Sequence, residues 1–170
     1  MTTTRLGLIA AAVLASLAAG CASVESTGAG ESRPVVFSAS DFAWSQAAGR
    51  NTLQGRVAYR DWTCGGGPVG LTPDTPYSRS RVARLYGSTT SAALPVETVR
   101  SRQVGEAGDD YSAFVRTTRC DANGAFRFEN LPDGSWFVIG RARPRAGGEG
   151  VALMKRVQTR GGRVAVVQLP

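Results

Sequence analysis

Side chains able to do chemistry are few in this chain of 170 residues, and the types that are missing narrow the field first. There is no histidine. That removes Ser-His-Asp and Cys-His catalysis, His-bearing zinc sites and the helix-borne metalloprotease motif. The three cysteines, Cys21, Cys64 and Cys120, lie too far apart for a Cys-x-x-Cys centre. Carboxylates are what remain. Asp121-Ala122-Asn123-Gly124 opens like a cation loop, yet a calcium loop of the EF-hand kind needs more oxygen ligands and a late glutamate, and Glu129 falls too early. Asn-Gly before an alternating aromatic run instead predicts a hairpin turn with both central residues at positive φ. Asp109-Asp110, Glu97 and Glu106 form the other acidic group. A general acid and its partner must face one cleft, whereas neighbouring aspartates on a strand face opposite ways.

The elements that must position these residues read as strands. In "TLQGRVAYR", Leu53, Val57 and Tyr59 share one face while Gln54, Arg56 and Arg60 share the other. "YSAFVRTTR" alternates through Tyr111, Ala113 and Val115. "AFRFENL" sets Phe126 and Phe128 opposite Arg127, "SWFVIGRA" pairs Trp136 with Val138, and "RVAVVQL" sets Val164 and Val166 against Ala165, Val167 and Leu169. Period-two patterning of this kind predicts half-buried antiparallel strands. Gly65-Gly66-Gly67-Pro68, Asn123-Gly124, Pro132-Asp133-Gly134, Gly147-Gly148 and Gly161-Gly162 punctuate them. About seven to nine short strands at this spacing predict an all-β antiparallel sandwich. The one helical candidate is Ser78 to Leu85.

Composition fits a single globular domain behind an address segment. The formal charge is +7, carried almost wholly by scattered arginines, since Lys155 is the only lysine. Such scatter reads first as a solvated basic surface, and no nucleic-acid recognition motif accompanies it. Residues 1–20 run from Arg5 through an apolar stretch to Gly20, which reads as a secretory signal peptide too short to span a bilayer. Leu17-Ala18-Ala19-Gly20-Cys21 resembles a bacterial lipobox, with Ala18 where leucine is preferred. Ser16-x-Ala18 offers ordinary cleavage as the competing reading. The lipobox resemblance implies that Cys21 is acylated and anchors the chain to the lipid bilayer. Ala22 after it favours the outer membrane, facing the periplasm or the surface. Residues 21–34 read as a flexible tether and 35–170 as the domain. With Cys21 lipidated, Cys64 and Cys120 form an even pair for a disulfide in an oxidising compartment, against two separate buried thiols. Closing so long a loop contributes roughly 4 kcal/mol before strain.

Gly55-Arg56-Val57, the stretch from Pro68 to Pro73 and the closing "CDANGAFRFENLPDGSWFVI" together resemble the carboxypeptidase regulatory-like domain, a transthyretin/prealbumin-like sandwich. Asp121, Gly124, Phe126, Phe128, Leu131, Pro132, Gly134 and Trp136 occupy the family's closing pattern, and with Asn123 they are expected to form a structural hairpin and core. The resemblance implies a non-catalytic module in the cell envelope, with a binding or structural role, an unknown envelope protein or polymer as partner, and no cofactor or metal. A carboxylate-dependent hydrolase of cell-wall polymer is the alternative. The sequence departs from the family in an insertion over 73–111, expected to be a long loop with at most one short helix. On it Tyr77, Arg79, Arg81, Arg84 and Tyr86 form a possible binding loop. In the competing reading Tyr77, Leu85 and Tyr86 cap the core and the arginines face water.

Overall fold

The structure, a computed structural model, describes residues 35–102, 104 and 109–170. The segments read as signal peptide and tether, with Cys21, and Glu106 fall outside the described residues.

After a short helix α1 (Ala39–Phe42) and a 3-10 turn (Ala43–Gln46), the chain runs β1 (Asn51–Arg56), β2 (Ala58–Tyr59), β3 (Trp62–Thr63) and β4 (Pro68–Pro73). Helix α2 (Pro76–Tyr86), β5 (Ser91–Pro95), α3 (Val96–Ser101) and α4 (Asp109–Ser112) come next. The order then closes with β6 (Arg116–Arg119), β7 (Ala125–Leu131), β8 (Gly134–Ala142), β9 (Val151–Thr159) and β10 (Val164–Gln168). Two sheets face each other, one ordered β10-β1-β7 and the other β5-β9-β8-β4-β6, with β2 and β3 pairing as a separate hairpin. This is the expected all-β sandwich. Among the described residues every strand pairing but one is antiparallel, the exception being the parallel pair of β10 with β1.

The inner faces meet as the alternation required at Leu53 and Val57, Phe126 and Phe128, Trp136 and Val138, and Val167 and Leu169; Leu131, one step out of phase at the end of β7, joins them in one buried cluster. Gly134 is needed because a Cβ there would come within 2.1 Å of the Trp44 ring, which packs 4.8 Å from Trp136. Trp136 Nε1 donates to Thr159 Oγ1 at 2.9 Å, so the buried indole leaves no unpaired donor. Cys64 and Cys120 are disulfide-bonded, with their Cα atoms 6.3 Å apart, and tie the segment after β3 to the end of β6.

Three expectations are corrected. First, the described residues hold four short α-helices rather than at most one. Helix α2 starts at Pro76, which fits the first turn because its missing N–H has no partner there to lose. Thr75 and Ser78 form a reciprocal capping box, and Gly87 ends the helix in the left-handed conformation at φ 70°. Second, the insertion is not a loop: β5 pairs along β9 from Ser91↔Lys155 to Pro95↔Val151, while α2 and α3 cover that sheet. The strand expected from Tyr111 begins only at Arg116, since Tyr111 lies on α4.

Third, Asp121 to Gly124 is not a hairpin. The strand before it, β6, pairs with β4, and the strand after it, β7, pairs with β1, so the turn carries the chain from one sheet to the other. Asp121 Oδ1 accepts from the N–H groups of Asn123 and Ala125, both at 2.8 Å. Only Gly124 has positive φ, at 86°, and a Cβ there would come 2.3 Å from Val57 O. Asn51 and Asp133 hold the far end of the three-stranded sheet. Asn51 Nδ2 donates to Leu131 O and to Asp133 Oδ1, its Oδ1 accepts from Arg163 N–H, and Gly161 N–H donates to Asp133.

Candidate functional site

The expected binding residues on the insertion sit along α2, against the five-stranded sheet, and divide between core and solvent. Tyr86 is buried, and its phenol pKa is pushed up to about 12 by that burial. Tyr77 packs edge-on against Phe37 and Tyr111, with ring centroids at 5.5 and 5.3 Å, in a cluster completed by Phe42 and Phe114. Arg81 is buried, over the rings of Tyr77 and Tyr111 at 5.8 and 5.6 Å, and its Nη1 donates to Val104 O. Arg79 is exposed and bound to Asp74, whose fully buried carboxylate is also held by Arg156. Arg84 alone of the five is an exposed side chain with no ion pair among the described residues. The tyrosines thus cap the core, as the competing reading had it, but Arg81 does not face water. A planar guanidinium loses less on burial when ring faces and a carbonyl receive it.

Of the acidic group, Glu97 is exposed on α3 and Asp110 lies on α4, and neither lines a described groove.

The principal groove lies instead on the three-stranded sheet. It has a volume of about 660 Å³ and is lined from β1 by Gln54 to Arg56, from β7 by Ala125 to Arg127, and from β10 by Val166 to Gln168. Thr118, Arg119 and Asp121 form its rim. Strand alternation sends Gln54, Arg56, Arg127, Val166 and Gln168 outward, opposite the buried row of Leu53, Phe126 and Val167. Register then places Gln54 between Val166 and Arg127, and Arg56 between Gln168 and Ala125. Gly55 makes the floor possible: a Cβ there would meet Val167 O at 2.2 Å and the Phe126 ring at 2.8 Å.

The polar groups of the groove are fixed by neighbours. Arg127 Nη1 donates to Gln54 Oε1 at 3.0 Å and its Nε to Glu129 Oε1 at 2.6 Å. Arg56 Nε donates to Asn123 O at 2.7 Å. The apolar component is Val166, which keeps 77% of its surface. Such a surface offers amide and guanidinium donors beside an apolar strip, a combination suited to holding a polar polymer along a sheet face.

A second cavity, of about 380 Å³, adjoins the first and shares Arg56 and Gln168 with it. Arg60, Asp61, Trp62 and Thr63 of the β2–β3 hairpin line it, with Ala122, Asn123 and Arg145 opposite. Sequence reading placed Arg56 and Arg60 together on an outward face but did not assemble the groove. Its signal was β10, apolar on both faces in "RVAVVQL", where one apolar face suffices for packing.

No family model matches the chain, and no curated protein matches it. Among solved structures, the fold is similar to the crystal structure of a candidate carbohydrate-binding protein from Pseudomonas aeruginosa. The TM-score is 0.58 at 20% identity, over 79% of this chain and 97% of that one. At that identity the likeness is one of fold alone.

Proposed function

We propose that this chain is a non-catalytic sandwich module of the bacterial cell envelope that binds a carbohydrate polymer along the outer face of its three-stranded sheet. The observation that carries the reading is the open groove of about 660 Å³ over β10, β1 and β7, lined by fixed polar donors and exposed valine. The name borne by the Pseudomonas aeruginosa neighbour supports the same class of ligand. The Cys64–Cys120 bridge supports export, because such bonds persist in oxidising compartments. The carboxypeptidase regulatory-like resemblance, with acylation at Cys21 and an outer-membrane address, belongs to this proposal.

Co-sedimentation with purified peptidoglycan and with insoluble polysaccharides tests it. The wild-type chain is expected in the pellet, and Gln54→Ala with Arg127→Ala is expected to shift it to the supernatant while the melting temperature changes little. A wild type that stays in every supernatant overturns the reading. Detergent-phase partitioning tests the anchor: Cys21→Ser is expected to move the chain to the aqueous phase, and equal partitioning of both forms removes the lipid from the proposal.

A further inference from the structure

We infer that the smaller cavity beside the groove takes the acid group of the polymer, so that the ligand is a carboxylate- or phosphate-bearing glycan. This inference rests on the carbohydrate reading and adds the chemistry of one subsite. Three guanidiniums, from Arg56, Arg60 and Arg145, line that cavity against the single carboxylate of Asp61. None of the three is in an ion pair among the described residues, whereas Arg79, Arg100, Arg127 and Arg156 all are. Unpaired guanidiniums gathered in a concave site attract an anion and present forked donors that match a carboxylate or phosphate.

The cavity is also built rather than accidental. Arg60 sits at φ 56°, a left-handed conformation unusual for a side chain with a Cβ, in the two-residue turn of the β2–β3 hairpin. The Arg60 guanidinium lies 5.5 Å over the Tyr59 ring, which aims it. Arg56 is aimed by its bond to Asn123 O, and the segment bearing Arg145 is pinned to the hairpin by Arg143 N–H donating to Thr63 O at 2.9 Å. The half-buried Trp62 ring supplies a flat apolar wall of the sort against which a sugar ring can lie. Because Arg56 and Gln168 line both cavities, a polymer lying in the groove can set one acid-bearing unit among the arginines without leaving the surface.

The test uses the full chain in detergent and three soluble polysaccharides: polygalacturonate for carboxylate, phosphomannan for phosphate, and neutral pullulan. At least one acidic polymer is expected to bind about tenfold or more tightly than pullulan, and which one does so identifies the acid. Arg60→Gln with Arg145→Gln is expected to abolish that preference, since each charge-assisted bond lost is worth about tenfold. Arg84→Gln with Arg160→Gln removes equal charge elsewhere and is expected to retain it. An equal loss in both double variants shows diffuse charge attraction and overturns the subsite. Equal binding of pullulan and the acidic polymers overturns it while leaving the carbohydrate reading intact. Failure of all three to bind, together with the failure of co-sedimentation, overturns both.

Discussion

On the five-stranded sheet Phe137 and Met154 are fully buried beneath α2 and α3, whereas on the three-stranded sheet Val164 and Val166 keep 55% and 77% of their surface. The two outer faces differ because the insertion supplies cover to only one of them. Val82 and Tyr86 of α2 and Val96 of α3 close over β8 and β9. That turns β8 into a strand buried on both sides, and "SWFVIGRA" accordingly shows apolar residues in both alternating rows. Nothing among the described elements performs that service for β10, β1 and β7. The covered face is therefore a second core, and the open face sets guanidiniums and amides among exposed valines. Helices α2 and α3 of the insertion serve the packing, a role that the sequence offered beside that of a possible binding loop.

The comparison is broken most forcefully from the covered side. Phe137→Ala should cost about 4 kcal/mol, since a fully buried aromatic leaves a cavity that α2 cannot collapse into. Chemical denaturation reads this directly, and a loss below about 1 kcal/mol would show that the helices are a loose cover. Replacing Cys64 and Cys120 with serine should cost about 3 kcal/mol, within the usual range for a native bridge. Hydrogen exchange should then rise around residues 118–124, at the rim of the groove, more than in β8 or β9.

A smaller effect sits at the other end of the open sheet. Hydrogen bonds from Asn51 Nδ2 and Gly161 N–H hold the Asp133 carboxyl pKa below its ordinary value of 3.8. A carboxyl whose pKa is lower in the folded state stabilises the fold fully above the unfolded value and loses that contribution as pH falls through the folded one. The urea midpoint of the wild type should thus drop below about pH 4 more than that of Asp133→Asn. Identical acid slopes would remove the latch from the account. Val166→Ser should change stability least, by about 0.5 kcal/mol or less, because the side chain is already in water. If it costs as much as Phe137→Ala, the open face is not open.

Much of the sandwich was legible because its signals are local. Alternation assigned Leu53, Phe126, Phe128, Trp136 and Val138 to inner faces, the family pattern added Leu131, and all of them are buried there. The even cysteine pair is bridged. Helix α2 was legible in part: Ser78 to Leu85 reads as helical, yet the helix runs from Pro76 to Tyr86, because proline and a capping hydroxyl serve a turn and a first helical turn equally well. The Asn123-Gly124 turn misled for a related reason. Turn chemistry reports that the chain reverses and not which strand its neighbour will pair with, so a corner between sheets and a hairpin look alike in sequence.

The sequence by itself determined the strand class, the inward rows of β1, β7 and β8, and the even count that leaves the two domain cysteines free to pair, because these come from period-two geometry and simple counting. Only the tertiary structure decided that β6 and β7 belong to different sheets, that α2 and α3 cover one face, and that Gln54, Arg56, Arg127 and Gln168 share a groove. Those relations join residues far apart in the chain, as Gln54 and Arg127 are, 73 positions from each other. They are set by which buried faces can be satisfied together, a condition that no local stretch of sequence expresses.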